Sequence, residues 1–126
     1  MLTTVGYADF DVAIVFVSSK KMKELNKQYR NKDKVTDILS FPFHQVKPGE
    51  KIVAAHDDEK ILGDLIICPE YTAHDAEQNW NCSYQERFTI LLAHGIAHLL
   101  GHDHIDDNDF KQMQKVEKKM LNALSN

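Results

Sequence analysis

The first long apolar run, FDVAIVFV over residues 10 to 17, is β-branched and aromatic almost without a break and predicts a buried strand. Ser18 or Ser19 follows as a helix cap. Met22, Leu25 and Tyr29 recur at i, i+3 and i+7, so a helix to about Asn31 is expected, with most of its lysines in water. DILSFPF, residues 37 to 43, predicts a second strand that lies at a sheet edge or ends at Pro42, which has no N–H for a ladder. Residues 44 to 60 carry Pro48, Gly49 and an acidic run, the pattern of a long loop that is mobile or functional.

ILGDLIIC, residues 61 to 68, predicts a third strand interrupted by Gly63 and Asp64. Pro69 suits the first turn of a helix that continues to about Asn79. Ser83 and Glu86 form an S-x-x-E capping box ahead of a helix over 84–100. Phe88, Ile90, Leu91, Leu92, Ile96, Leu99 and Leu100 mark that helix as buried. Asp106 or Asp107 caps a last helix with Phe110, Met113, Val116, Met120, Leu121 and Leu124 on its inner face. Strand, helix, strand, strand and then three helices give an α+β fold: a small mixed sheet covered by helices, with the histidine-bearing helix packed on it in a zincin-like arrangement.

That helix carries the candidate chemistry. Residues 94 to 104 read H-x-x-x-H-x-x-G-x-x-H. His94 and His98, four apart on a helix, lie only about 40° apart around its axis, one turn up the same face. A third histidine cannot reach the same point along a straight helix. Gly101 can adopt φ > 0 at a helix C-terminus and turn the chain so that His104 swings back. Three neutral imidazoles with a fourth position left to water form the pattern of a catalytic zinc. One Zn²⁺ held by His94, His98 and His104 is therefore expected. His102 points elsewhere, beside the site or on the surface. A histidine-rich helix end favourable to the helix dipole is the plainer alternative, but unpaired histidines among apolar neighbours are costly.

Length and composition narrow the class. The 126 residues are expected to form a single metallo-hydrolase domain, 1–126. No apolar run approaches the ~20 residues of a membrane helix, so no membrane partner is expected. The opening MLTTVGYADF has no basic n-region, and no signal peptide is expected. Cys68 and Cys82 lack CxxC spacing and read as free thiols of a reducing, cytoplasmic compartment. Net charge is −4, which argues against indiscriminate nucleic-acid binding. Between Ser18 and Lys34, however, seven basic residues face two acidic ones, a local +5. Such a stripe is either a solvated helix face or a phosphate-binding surface.

Residues 26 to 42, NKQYRNKDKVTDILSFP, together with GDLII at 63–67 and H-G-x-x-H-L-x-G-x-D-H at 94–104, resemble the YbeY family of zinc-dependent endoribonucleases of ribosomal RNA maturation. The resemblance runs from about residue 10 to the end. It implies that His94, His98 and His104 are zinc ligands and that Arg30 matches an arginine implicated in RNA cleavage. Lys32, Thr36, Asp37 and Ser40 match other positions of the same block. It also implies action on the precursor of the small-subunit ribosomal RNA 3′ end, a part in ribosome quality control, and RNA and the ribosome as partners. Members of that family usually carry a further strand and helix ahead of the segment that begins here at Tyr7, and Leu is common at position 97, where this chain has Ala97.

The same histidine spacing occurs in metzincin peptidases, whose first histidine is followed by a glutamate general base. Gly95 stands there in this chain and cannot take a proton, which forfeits a contribution of about 10²–10⁴ in rate. Phosphodiester cleavage tolerates the substitution, because a metal ion can activate water or polarise a phosphate oxygen and a guanidinium can clamp the phosphate with two donors. Arg30 is the candidate clamp; a surface ion pair with Asp33 or Asp37 is its plainer reading. The nucleophile is either water or the substrate's 2′-hydroxyl. Asp64 orients a ligand histidine or satisfies a helix N-terminus, with a structural role favoured, and Asp103 is a comparable candidate. Cys68 reads as core. Tyr29, Phe41 and Phe43 either stack bases or pack internally. The two rival functions are a zinc hydrolase of peptide and a ribosome-associated protein whose zinc is mainly structural.

Overall fold

The computed structural model describes residues 1–103 and 105–124. Three strands form one sheet, β1 (Asp11–Phe16), β2 (Ile38–Pro42) and β3 (Ile61–Ile67), in the order β1-β3-β2. β1 runs parallel to β3, and β2 runs antiparallel to it. Four α-helices accompany the sheet: α1 (Ser19–Arg30), α2 (Pro69–Asp75), α3 (Tyr84–Leu99) and α4 (Asp107–Leu124). The last turn of α2 widens into a π-helical segment, Ala76–Trp80, that ends where Asn81 turns left-handed. This is the α+β architecture with a mixed sheet that the hydrophobic pattern implied.

Local signals set the helix starts. The Ser18 side chain accepts from the Lys21 N–H at 3.1 Å. Ser83 and Glu86 close the capping box, and Asp106 Oδ1 accepts from the Asp109 N–H at 2.8 Å at the head of α4. Each bond satisfies a backbone donor that the first helical turn leaves open.

α3 lies on the sheet, and its contact sets the core. Leu65, Ile67, Leu91, Ala93, Ala97 and Leu99 are all buried to within 1%. Met22, Leu39 and Cys68 make a smaller cluster under α1, so Cys68 does pack internally. Pro42 ends β2, and β2 is an edge strand as its proline requires.

β1 differs from expectation. It is an edge strand, and Ile14, Val15 and Phe16 are 43–55% exposed. A continuous apolar run cannot distinguish a strand buried on both faces from one that pairs along a single edge. Only Val12 of this strand packs against the main core. The 44–60 segment is likewise anchored rather than loose. Ile52 is buried and its N–H donates to the Tyr7 hydroxyl at 2.9 Å. The segment contains one 3₁₀ turn, Asp57–Glu59. No helix among the described residues is long and apolar enough to cross a membrane.

Candidate metal centre and cleft

His94 and His98 are half-buried on one face of α3, one turn apart. Their Nε2 atoms converge to 3.1 Å, with the rings nearly perpendicular at 89°. The outer nitrogen of each ring is held. His94 Nδ1–H donates to Glu117 Oε1 of α4 at 2.9 Å. His98 Nδ1–H donates to the backbone carbonyl of His102 at 3.0 Å. A carboxylate and a carbonyl can only accept, so both Nδ1 atoms carry the proton in the neutral rings and both Nε2 atoms turn a lone pair toward the same point.

The donor set fits a metal ion. Two nitrogens at about 2.0–2.1 Å from one tetrahedral ion are separated by about 3.3 Å, close to the spacing seen here. Imidazoles fixed through their second nitrogen by a carboxylate and a carbonyl are characteristic of metal ligands. The third predicted ligand, His104, lies outside the described residues. Among the described residues no group of three or more His, Cys, Asp or Glu side chains forms a ligand set.

The turn after α3 is built as Gly101 demands. Gly101 has φ +90°, and its N–H donates to the His98 carbonyl at 3.0 Å. The His102 N–H donates to the Ala97 carbonyl at 3.1 Å. Together these are the two bonds of a Schellman motif. A Cβ at position 101 would collide with the Val46 carbonyl oxygen, so the anchored 44–60 segment braces this turn. His102 itself is buried, not superficial, and burial holds its imidazole below the ordinary histidine value, against the opposing charge of Glu117. Its backbone carbonyl serves His98.

Arg30, the last residue of α1, lines the same cleft as His94 and His98. The cleft holds about 610 Å³, and Tyr29, Thr36, Ser40, Phe41 and Asp103 are also on its walls. Tyr29 and Phe41 meet edge to face with centroids 5.2 Å apart, and Tyr29 is 58% exposed. Phe43 sits away from them, against His44.

One of the ion-pair alternatives for Arg30 resolves differently. Asp37 pairs with Arg87 at 3.2 Å, not with Arg30. Arg87 also reaches Asp75 at 3.1 Å and stacks over Trp80 at 4.4 Å. Asp64 is exposed on β3 and is absent from the cleft lining, so it does not orient His94 or His98. Gly95 faces the sheet. A Cβ there would meet Ile38 Cδ1 at 2.8 Å and Leu65 Cδ2 at 2.9 Å. A side chain at position 95 would have to displace Ile38 and Leu65 at the sheet interface, and glycine itself offers no base for the peptidase chemistry.

Glu117 and Arg87 escaped the motif reading. Glu117 follows His94 by 23 residues on a different helix, and no short spacing reveals it. The buried Asn26 is a further case: its Nδ2–H donates to the Lys34 carbonyl at 2.8 Å and ties α1 to the chain that leads from Arg30 into β2.

Comparison with known proteins agrees with this picture. Residues 3–125 match the family described as endoribonuclease YbeY. A protein named endoribonuclease YbeY from Thermodesulfovibrio yellowstonii is 40% identical over 114 residues, covering 90% of this chain and 66% of that one. Its namesake from Staphylococcus carnosus is 36% identical over 113 residues, covering 90% and 71%. The one from Caldicellulosiruptor bescii is 36% identical over 118 residues, covering 92% and 74%. The chain thus spans about two thirds to three quarters of the length of these relatives. The solution structure of TM1509 from Thermotoga maritima has a TM-score of 0.55 and 24% identity, covering 97% of this chain and 76% of that one. That likeness is one of fold.

Proposed function

The chain belongs to the YbeY endoribonuclease family, and from that premise we propose that it is a zinc-dependent endoribonuclease acting on the precursor of small-subunit ribosomal RNA in the cytoplasm. The observation that carries this reading is the shared cleft: the converging His94–His98 pair and Arg30 line one space of about 610 Å³.

His94 and His98, with His104 as the third ligand, are the residues that would hold the ion. Bound there, zinc would supply Lewis acidity toward a phosphate oxygen or a nucleophilic oxygen. Glu117 and the His102 carbonyl keep both rings in the tautomer that leaves Nε2 unprotonated. Arg30 clamps the scissile phosphate through two parallel N–H donors and offsets the charge that builds on its oxygens. The Thr36 and Ser40 side chains line the same cleft. Lys27, Lys32 and Lys34, close to Arg30 in the chain, raise the local concentration of a polyanionic substrate on an otherwise acidic protein.

Single-turnover cleavage of a ribosomal RNA fragment tests the reading. Wild type should cleave, while chelated protein and His98→Ala should not. Arg30→Ala should lose at least about 10²-fold, with Arg30→Lys recovering only part of it. Wild-type rates from both arginine variants would remove the clamp, and activity that survives full metal removal would remove the metal. A DNA copy of the substrate decides the nucleophile: inert DNA and a cyclic phosphate product mark the 2′-hydroxyl, whereas equal cleavage marks water.

A further inference from the structure

A second cavity of about 280 Å³ opens between α3 and α4 and shares Asp37 and His94 with the catalytic cleft. We propose that it is a nucleobase subsite, receiving the base of a nucleotide adjoining the scissile phosphate. The proposal rests on the endoribonuclease reading above and adds where a base of the substrate lodges.

Its walls have the composition of a base pocket. Trp80 and Phe110 line it and remain 51% and 47% exposed, although burial of such side chains is favourable. Met113 and Ile90 add apolar surface. Gln114 lines the same space, and its exposed amide, which makes no hydrogen bond among the described residues, can both donate and accept. Splayed bases of single-stranded RNA are held by this combination of aromatic faces and edge-directed polar groups.

Charge excludes the other part of a nucleotide. Two carboxylates, Asp37 and Glu117, line the cavity, and its one guanidinium, Arg87, is already held between Asp37 and Asp75. A phosphate would meet net negative charge there, whereas a neutral base would not. The pocket is also set before any ligand arrives. Arg87 is buried, fixed by two ion pairs and stacked on Trp80 at 4.4 Å, so the indole is placed in advance.

Connection to the reacting centre is direct. Phe110, Met113, Gln114 and Glu117 fall at i, i+3, i+4 and i+7 of α4 and form one stripe along the cavity. The last of them bonds His94. A strand with its phosphate against His94 and Arg30 thus has this opening as an immediate neighbour, across the shared Asp37 and His94.

Trp80 is the only tryptophan of the chain, so its emission reports on the pocket without a label. The full chain is titrated with adenosine, cytidine, guanosine and uridine, and separately with phenylalaninamide and inorganic phosphate. Saturable quenching by at least one nucleoside, absent with phosphate and phenylalaninamide, is expected. No saturable change with any nucleoside overturns the subsite whether or not the protein cleaves RNA, and a response to phenylalaninamide alone assigns the pocket to peptide.

In the cleavage assay, Phe110→Ala should raise KM about tenfold with kcat less affected. A substrate made abasic next to the cleaved bond should cost wild type a similar factor and cost Phe110→Ala nothing more. If the two losses multiply, the base is not in this pocket, although RNA cleavage stands. If RNA is neither cut nor bound while nucleosides still quench Trp80, the endoribonuclease reading fails and the base pocket survives it.

Discussion

Glu117 Oε1 lies 2.9 Å from His94 Nδ1, so the last helix of the chain fixes the ring of the first predicted metal ligand. The bond crosses the α3–α4 interface, and Glu117 would act on a bound ion only through the histidine. Glu117→Gln keeps the shape of the contact but removes the carboxylate charge from the outer nitrogen of the His94 ring. Metal affinity, measured by competition with a chromogenic chelator, should fall by about 10–100-fold while the thermal midpoint of the metal-free protein changes little. Unchanged affinity would mean that the contact has no bearing on the ion.

Gly95 lies against Ile38 and Leu65, whose terminal carbons a side chain at this position would have to push aside. Gly95→Glu therefore introduces a charge into the sheet interface and should prevent stable folding rather than create a peptidase. Gly95→Ala is the informative variant: its better helix propensity is worth about 1 kcal/mol, against about 1–3 kcal/mol for overpacking. Net destabilisation in urea titration is expected. A stabilised Gly95→Ala would show that the two side chains yield freely.

Arg87 bridges Asp37 and Asp75 while only 8% exposed. Removing it leaves two partly buried carboxylates without their cation, so Arg87→Leu should cost about 3 kcal/mol of stability. Asp37 lines the cleft of His94, His98 and Arg30 as well, and its Oδ1 accepts from the Ile38 N–H at 2.8 Å at the start of β2. The variant should thus lower cleavage as well as the denaturation midpoint. A loss confined to stability would separate the ion pair from the site.

Acid should weaken the same bridge. Burial alone would raise the Asp75 carboxyl, but hydrogen bonds from Asn79 and Arg87 outweigh it and hold the group below its ordinary value of 3.8. A carboxyl that is more acidic when folded stabilises the protein fully above that ordinary value, and the contribution is lost as pH falls through the folded one. Urea midpoints measured from about pH 6 down to about pH 2.5 should drop on this account, and Asp75→Asn should show a shallower acid loss. Parallel curves for the two proteins would assign the acid sensitivity elsewhere.

Asn26 is buried and its side chain donates to the Lys34 carbonyl. Asn26→Leu removes this tie and leaves that carbonyl to find another donor, at a cost of about 1–3 kcal/mol. Because the tied segment connects Arg30 to β2, the variant should also lose RNA cleavage beyond what its stability explains when assayed well below its melting temperature. Full activity in a destabilised Asn26→Leu would make the tie a matter of folding alone.

Much of this protein is written in short stretches of chain. Ser18, Ser83 and Asp106 start their helices through bonds made within three residues. Gly101 ends α3 through bonds to His98, while the next residue bonds back to Ala97. The i, i+4 spacing by itself put His94 and His98 on one face, since helical geometry is the same in any environment. What the spacing could not supply was the rotation of one element against another. That rotation brings Glu117 to His94, gives Asp37 to Arg87 instead of Arg30, and sets Arg30 and the histidine pair on one cleft. It also leaves β1 at an edge with its apolar residues exposed. Caps and periodicity depend on neighbours a few residues away, whereas these pairings follow from how the side chains of α1, α3 and α4 fill the space around three strands, which no local pattern encodes.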